Sequence, residues 1–372
     1  MKCLLTVLTL FLLSSGIVSA QQSKLIFEKS DQQFEECRTY HIALGDIDSD
    51  GDLDAVFSNM GEKNNSTVWI NDGSGQFIDS GQRLISESHG AAFADLDSDG
   101  DLDLFLTDND NHEATANKLY FNDGSGKFAD SGLTIGQNDM YGNSAAFVDV
   151  NNDGKADMHI DYYKAPNKIY YGKNGSLSLE SDMQFPDGTY VYWSDFDGDG
   201  DTDIFAKIIG EGLQVRLNDG TGKFSDHWAA DDKDITSGDA AIADFDGDND
   251  TDIFISNGSR EGIFPSRILI NDGSGNFKFS SQTIPGVMFS KVAAADFNSD
   301  GHMDVMFSNM DKALSIWVND GSGKFSDSGQ QLGGGYMHGV SAAGDLDADG
   351  DIDIFQAGYH GGSNLVWFNK TK

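Results

Sequence analysis

Residues 45–57 read GDIDSDGDLDAVF. The same segment recurs as ADLDSDGDLDLFL from Ala94, VDVNNDGKADMHI from Val148, SDFDGDGDTDIFA from Ser194, ADFDGDNDTDIFI from Ala243, ADFNSDGHMDVMF from Ala295 and GDLDADGDIDIFQ from Gly344. The leading residues Asp46, Asp95, Asp149, Asp195, Asp244, Asp296 and Asp345 stand 49, 54, 46, 49, 52 and 49 residues apart. A period near 50 residues marks a propeller or a solenoid.

Each period reads as four strands. A short apolar stretch such as Ile42-Ala43-Leu44 leads into the acidic loop, and an alternating strand such as Leu102-Asp103-Leu104-Phe105-Leu106 leaves it. A third strand follows at Val68-Trp69-Ile70, Leu119-Tyr120-Phe121 and Ile316-Trp317-Val318. N-D-G-S-G at Asn71, Asn122, Asn271 and Asn319, or N-D-G-T-G at Asn218, supplies the positive-φ residues of a tight hairpin. A fourth strand starts at Phe77, Phe128, Phe224, Phe277 and Phe325. No helical periodicity appears. Residues 27–34 (FEKSDQQF) match 325–332 (FSDSGQQL), and repeat seven stops where its hairpin should begin. The expected fold is all-β: a seven-bladed β-propeller of four-stranded blades, closed by the N-terminal strand completing the last blade. An open solenoid has no use for that permutation.

The pattern D-x-D-x-D-G-x-x-D gathers oxygens. Alternate carboxylates point into one concavity, Gly at position six turns the chain, position seven offers its carbonyl, and Asp at position nine closes the shell. Such a hard-oxygen set suits Ca²⁺, up to seven ions, rather than zinc. In loop one the ligands are Asp46, Asp48, Asp50 and Asp54, with Asp52 through its carbonyl. The equivalents are Asp95, Asp97, Asp99, Asp103 with Asp101; Asp149, Asn151, Asp153, Asp157 with Lys155; and Asp195, Asp197, Asp199, Asp203 with Asp201. Loops five to seven give Asp244, Asp246, Asp248, Asp252 with Asp250; Asp296, Asn298, Asp300, Asp304 with His302; and Asp345, Asp347, Asp349, Asp353 with Asp351. Asn249 stands where loop five should carry Gly; Asn tolerates the left-handed conformation. An EF-hand is excluded because Phe57, Leu106, Ile160 and Ile255 occupy the position of its closing Glu.

The chain has 372 residues and a net charge of −37, and 31 of its 61 acidic residues lie in these loops. The acidity is therefore local and asks for a counter-ion. It excludes a partner that presents a phosphate backbone, so no nucleic acid is expected. Residues 1–20 read as a secretory signal peptide, with Lys2, an apolar run from Leu4 to Leu13, and a Val18-Ser19-Ala20 cleavage site. That implies a secreted, periplasmic or extracellular protein, with residues 21–372 as one propeller domain and no membrane span. Cys37 is then the one mature cysteine, so no internal disulfide is available.

At this point the chain resembles the FG-GAP/VCBS repeat family, the integrin-α-like seven-bladed propellers, over essentially all of residues 24–372. The resemblance rests on motifs such as ADFDGDNDTDIF. It implies Ca²⁺ in loops between the first two strands of the blades, on one face of the disc, with ligands meeting the opposite face.

No nucleophile elbow and no H-E-x-x-H are present. The recurrent G-S-G-K is a hairpin turn, and the aromatic set Trp69, Tyr120, Tyr170, Trp317 and Trp367 reads as core between blades. Residues that break the repeat at the far face are the candidate ligand set: Tyr40, His41, His89, Tyr141, Tyr190 and His338 at first-strand starts, and His112, Tyr162, Arg260, Tyr359 and His360 in the loops after strand two. Tyr and His pair an apolar face with a polar tip, which suits sugars and peptides. The leading expectation is a monomeric secreted calcium-binding module for an extracellular glycan or protein. The alternatives are a polysaccharide lyase or hydrolase on the same scaffold, and a structural subunit that docks a partner chain.

Overall fold

The computed structural model describes residues 25–61, 64–108, 117–136, 142–162, 165–173, 175–258, 262–288, 291–308, 312–334, 340–359 and 362–371. The signal-like residues 1–20 lie outside this set, as do His112, Tyr141, Arg260, His338 and His360. The described residues form 28 strands in seven four-stranded antiparallel sheets, with no helix among them. Blade one is typical: Arg38–Gly45, Asp54–Met60, Asn65–Asn71 and Phe77–Ser86, hydrogen-bonded in chain order.

The register places each acidic segment. Gly45 pairs with Asp54, Ser194 with Asp203, and Gly344 with Asp353, so the loop is the connection between strands one and two in every blade. The hairpin between strands three and four returns to the same end of the blade. Asp72 N–H donates to Gln76 O at 3.2 Å, and Ser74 Oγ donates to Asp72 Oδ1 at 2.6 Å.

The last sheet joins Ala342–Gly344, Asp353–Gln356 and Leu365–Asn369 to Phe27–Lys29. Phe27 pairs with Asn369 as Phe325 pairs with Asn319 and Phe77 with Asn71. Blades one and seven also touch directly. Thr39 N–H donates to Gly358 O at 2.9 Å, and Val340 N–H donates to Tyr40 O at 2.7 Å.

The core lies between blades. Phe34, Phe57, Trp69, Phe77 and Phe355 share one cluster between blades seven and one, with Phe34 edge-on to Trp69 at 5.0 Å. Tyr120 and Tyr170 are buried in the clusters of blades two and three. The second strands are not half-exposed, as alternation suggests: Asp103–Asp108 and Asp157–Tyr162 are buried at every position. Each second strand has a neighbouring blade on both of its faces, so no side of it meets water.

Candidate functional site

The acidic loops close on their own backbone. The first carboxylate caps the turn: Asp46 Oδ1 accepts the Asp50 N–H and Oδ2 the Gly51 N–H, both at 3.1 Å. Loop five keeps the second of these bonds with Asn249, whose N–H donates to Asp244 Oδ2 at 3.0 Å from a φ of 71°, while Oδ1 accepts the Gly247 N–H at 2.7 Å. The side-chain amide thus costs that loop nothing in backbone shape. In five loops three carboxylate oxygens lie within 4.8 Å of one another: Asp46, Asp48, Asp50; Asp95, Asp97, Asp99; Asp195, Asp197, Asp199; Asp244, Asp246, Asp248; and Asp345, Asp347, Asp353. Loops three and six carry Asn151 and Asn298 at position three, and Asn298 Nδ2 donates to Asp300 Oδ2 at 2.9 Å.

The donor set fits a hard cation. Among the described residues, Oδ1 of Asp48, Asp246 and Asp347, the position-three carboxylates, is buried without a hydrogen-bond donor. An oxygen with negative charge and no donor is costly unless a cation meets it. Residues at positions one, three, five and nine would hold Ca²⁺, whose charge would cancel their mutual repulsion. Position nine has a second task that spacing does not disclose. Asp54 is fully buried; its Oδ2 accepts Ile47 N–H at 3.0 Å and its Oδ1 accepts Asn71 N–H at 2.7 Å. Burial outweighs those two bonds and pushes Asp54, Asp103, Asp203, Asp252 and Asp353 up to about 6, and Asp304 to about 7. Loop seven differs again. Lys370 Nζ lies 2.9 Å from Asp347 Oδ2 and 3.0 Å from Asp349 Oδ2, a tethered cation on two of the candidate ligands.

The N-D-G hairpin is part of these loops as well as a turn. Asn122 Nδ2 donates to Ile47 O of the preceding blade's loop at 2.7 Å and to Leu102 O of its own at 3.2 Å. Asn71, Asn218, Asn271, Asn319 and Asn369 make the same pair of bonds, Asn71 to Leu346 O and Asn369 to Phe297 O among them. Gly73 sits on the position-seven side chain, where a Cβ would meet Asp52 Oδ2 at 2.3 Å. Asn257 and Asn369 begin N-x-S/T sequons, yet both are fully buried, whereas Asn65 is exposed.

The far end of the blades gathers the other predicted residues. Tyr40 stacks on His89, ring centroids 4.1 Å apart, and meets Tyr359 edge-on at 5.9 Å. Arg38 donates to Tyr359 Oη at 3.1 Å and covers its ring. His41 Nδ1 accepts the Ala91 N–H at 3.1 Å. Tyr190 has Lys207 Nζ 4.7 Å and Lys291 Nζ 6.0 Å from its ring centre. Tyr162 does not belong to this surface. It is 2 % exposed, with its hydroxyl 3.3 Å from Tyr170 Oη in the core, because it ends a second strand covered on both faces.

Sequence reasoning missed the charged members of this end. Four residues past the position-nine aspartate, five blades carry Ser58, Thr107, Ser256, Ser308 and Ala357, all buried. Blades three and four carry Asp161 and Lys207 there. Aligning that column exposes the exception. The facing first-strand column reads His41, Gly90, Ser144, Tyr190, Asp239, Lys291 and Val340, with Tyr190 opposite Lys207 and Lys291 opposite Ser308. Asp239 Oδ1 accepts from Tyr192 Oη at 2.7 Å and from Ala240 N–H at 3.0 Å, and its Oδ2 stands 4.0 Å from Lys291 Nζ.

The FG-GAP-like repeat model matches residues 46–106, 95–160, 195–255, 244–307 and 296–356. No curated protein matches the chain. Among solved structures, the BP39L lectin from Burkholderia pseudomallei is similar at 14 % identity and TM-score 0.64, covering 90 % of this chain and 96 % of that one. A lectin from Agrocybe aegerita, described as recognising non-reducing terminal N-acetylglucosamine, is similar at 17 % identity and TM-score 0.53, over 91 % of this chain and 86 % of that one. BBS1N, solved in complex with ARL6DN, is similar at 8 % identity and TM-score 0.59, over 93 % and 97 %. At these identities the likeness concerns the fold.

Proposed function

The chain belongs to the FG-GAP-like repeat family, and from that premise we propose that it is a secreted, calcium-stabilised propeller that binds an extracellular glycan or protein. The carrying observation is the contrast between the two ends of the blades. One end repeats the same acidic loop seven times. The other presents side chains that differ from blade to blade, among them Tyr40, His89, Tyr190 and Lys291, with Tyr359 buried beneath Tyr40 and Arg38. A repeated element reads as scaffold, and non-repeated loop and strand-end residues on a rigid scaffold read as recognition. The two lectins among its structural neighbours favour a glycan; the partner-bound neighbour is in keeping with a protein. Buried carboxylate oxygens without donors support calcium as the counter-ion of the repeated end, and the apolar run after Lys2 supports export. The test is retention on arrays of immobilised glycans and matrix proteins, in calcium and in EDTA. Calcium-dependent retention on a defined target is expected; silence on every target in both buffers rejects the reading.

A further inference from the structure

The anomaly of the far end is Lys207. Its side chain is fully buried, and among the described residues its Nζ makes no hydrogen bond. An ammonium has three N–H donors and no acceptor, so its needs are met only by a neighbouring oxygen or a ring face. The ring of Tyr190 offers the face, at 4.7 Å. The nearby carboxylates are already committed. Asp239 takes Tyr192 and Ala240. Asp161 takes Ser144 Oγ at 2.7 Å and Asn167 Nδ2 at 2.6 Å, with His159 Nε2 at 3.2 Å. Lys291 makes a looser contact: Asp239 Oδ2 stands 4.0 Å from its Nζ, beyond hydrogen-bond reach, while the charges of Asp239 and Asp161 favour its ammonium form. Both lysine Nζ atoms thus lie within 6.0 Å of the centre of one aromatic ring. An ammonium without an acceptor is expensive to bury: desolvation lowers the Lys207 pKa to about 7, although the charges of Asp239 and Asp161 pull the other way.

The Lys291 and Asp239 side chains keep 21 % and 18 % of their exposure, so solvent reaches their side of the cluster, with the Lys207 Nζ covered behind them. We propose that the end of the blades opposite the acidic loops takes a carboxylate-bearing ligand, its carboxylate seated by Lys207 and Lys291 beside the Tyr190 ring. A single planar carboxylate offers acceptors to both ammonium groups, and the ring supplies an apolar wall for the carbon that carries it. A dianion such as phosphate would bring a second negative charge against Asp239 and Asp161. The carboxylate belongs either to an acidic sugar or to a peptide C-terminus. This proposal rests on reading that face as the ligand-binding one.

The experiment is calorimetry on the full chain in saturating calcium, with glucuronate and with N-acetyl-diglycine, each compared with its methyl ester. At least one acid should bind, with a loss of about tenfold or more on esterification and a similar loss in Lys207→Met. Preference for glucuronate assigns an acidic glycan, and preference for the dipeptide assigns a C-terminus. Should Lys207→Met not fold, hydrogen–deuterium exchange on the unmutated chain locates the site: the bound acid should slow residues 204–208 and 291–295. Equal binding of acid and ester, no binding of either acid, or protection confined to other strands overturns the proposal. Array retention of neutral glycans alone would overturn it and leave the binding-module reading standing. Carboxylate binding by a chain that is silent on every array would do the reverse.

Discussion

His41 holds its imidazole in the seam between blades one and two, where Nδ1 accepts a backbone N–H from Ala91. Burial there, helped by the Lys291 ammonium and opposed by Asp239, lowers its pKa to about 4 from an ordinary 6.5. The folded state thus prefers the neutral ring. Its contribution is whole above pH 6.5 and is lost as the pH falls towards 4, amounting to about 3 kcal/mol at the acid end. By urea denaturation in calcium, the unmutated chain should lose about 2 kcal/mol more than His41→Gln between pH 7 and pH 5, over and above the raised aspartates that both proteins share; equal changes in both would remove His41 from the account. The sequence placed His41 at the right end of its strand through the repeat alone. It did not reveal that the ring is half-buried against blade two, because periodicity locates a residue along a strand and says nothing of what the neighbouring blade brings against it. Tyr162 was misplaced for the same reason. Lys207 and Asp161 were legible only as departures from a column of small buried residues, a signal that appears once all seven second strands are laid side by side.

At the scale of the loop and the hairpin, local chemistry was readable and coupling was not. The acidic loop and the N-D-G turn each announce themselves within nine residues. That Asn71 reaches Leu346, 275 residues away, needs the closed ring. Asn122→Ala should therefore cost more than a turn substitution. It strands the buried Ile47 O and the half-buried Leu102 O, and a loss of about 2 kcal/mol or more is expected by chemical denaturation. A change below about 0.5 kcal/mol, the size of an ordinary surface substitution, would mean that the amide holds nothing. Loop seven carries its own test. If the Lys370 ammonium competes for Asp347 and Asp349, Lys370→Met should bind one more calcium per chain than the unmutated protein in equilibrium dialysis at fixed free metal. An unchanged count would show that the ammonium yields freely to the ion.

For the whole molecule, stability is expected to follow calcium rather than redox state. Each ion that binds only the folded loop contributes about 2.7 kcal/mol at a hundred times its dissociation constant. A large fall in Tm with EDTA is expected, and none with reductant, since Cys37 is a free thiol; an unchanged melting curve after chelation contradicts the role given to the loops. Architecture was the most legible level, because seven copies of one pattern average out the ambiguity of each. What the average hides is the copy that differs. Strand three of blade three ends at Gly172, where six other blades have the bridging asparagine, and a Cβ there would strike Ala156 O at 2.3 Å. The carbonyl of Leu96, which an asparagine would have grasped, receives instead a lone backbone N–H from Gly175 at 3.0 Å. A hoop with one unlike clasp has a fault line. Deuterium should enter at residues 168–172 ahead of 267–271 and 314–319, and the molecule would part between its second and third sectors with the least work.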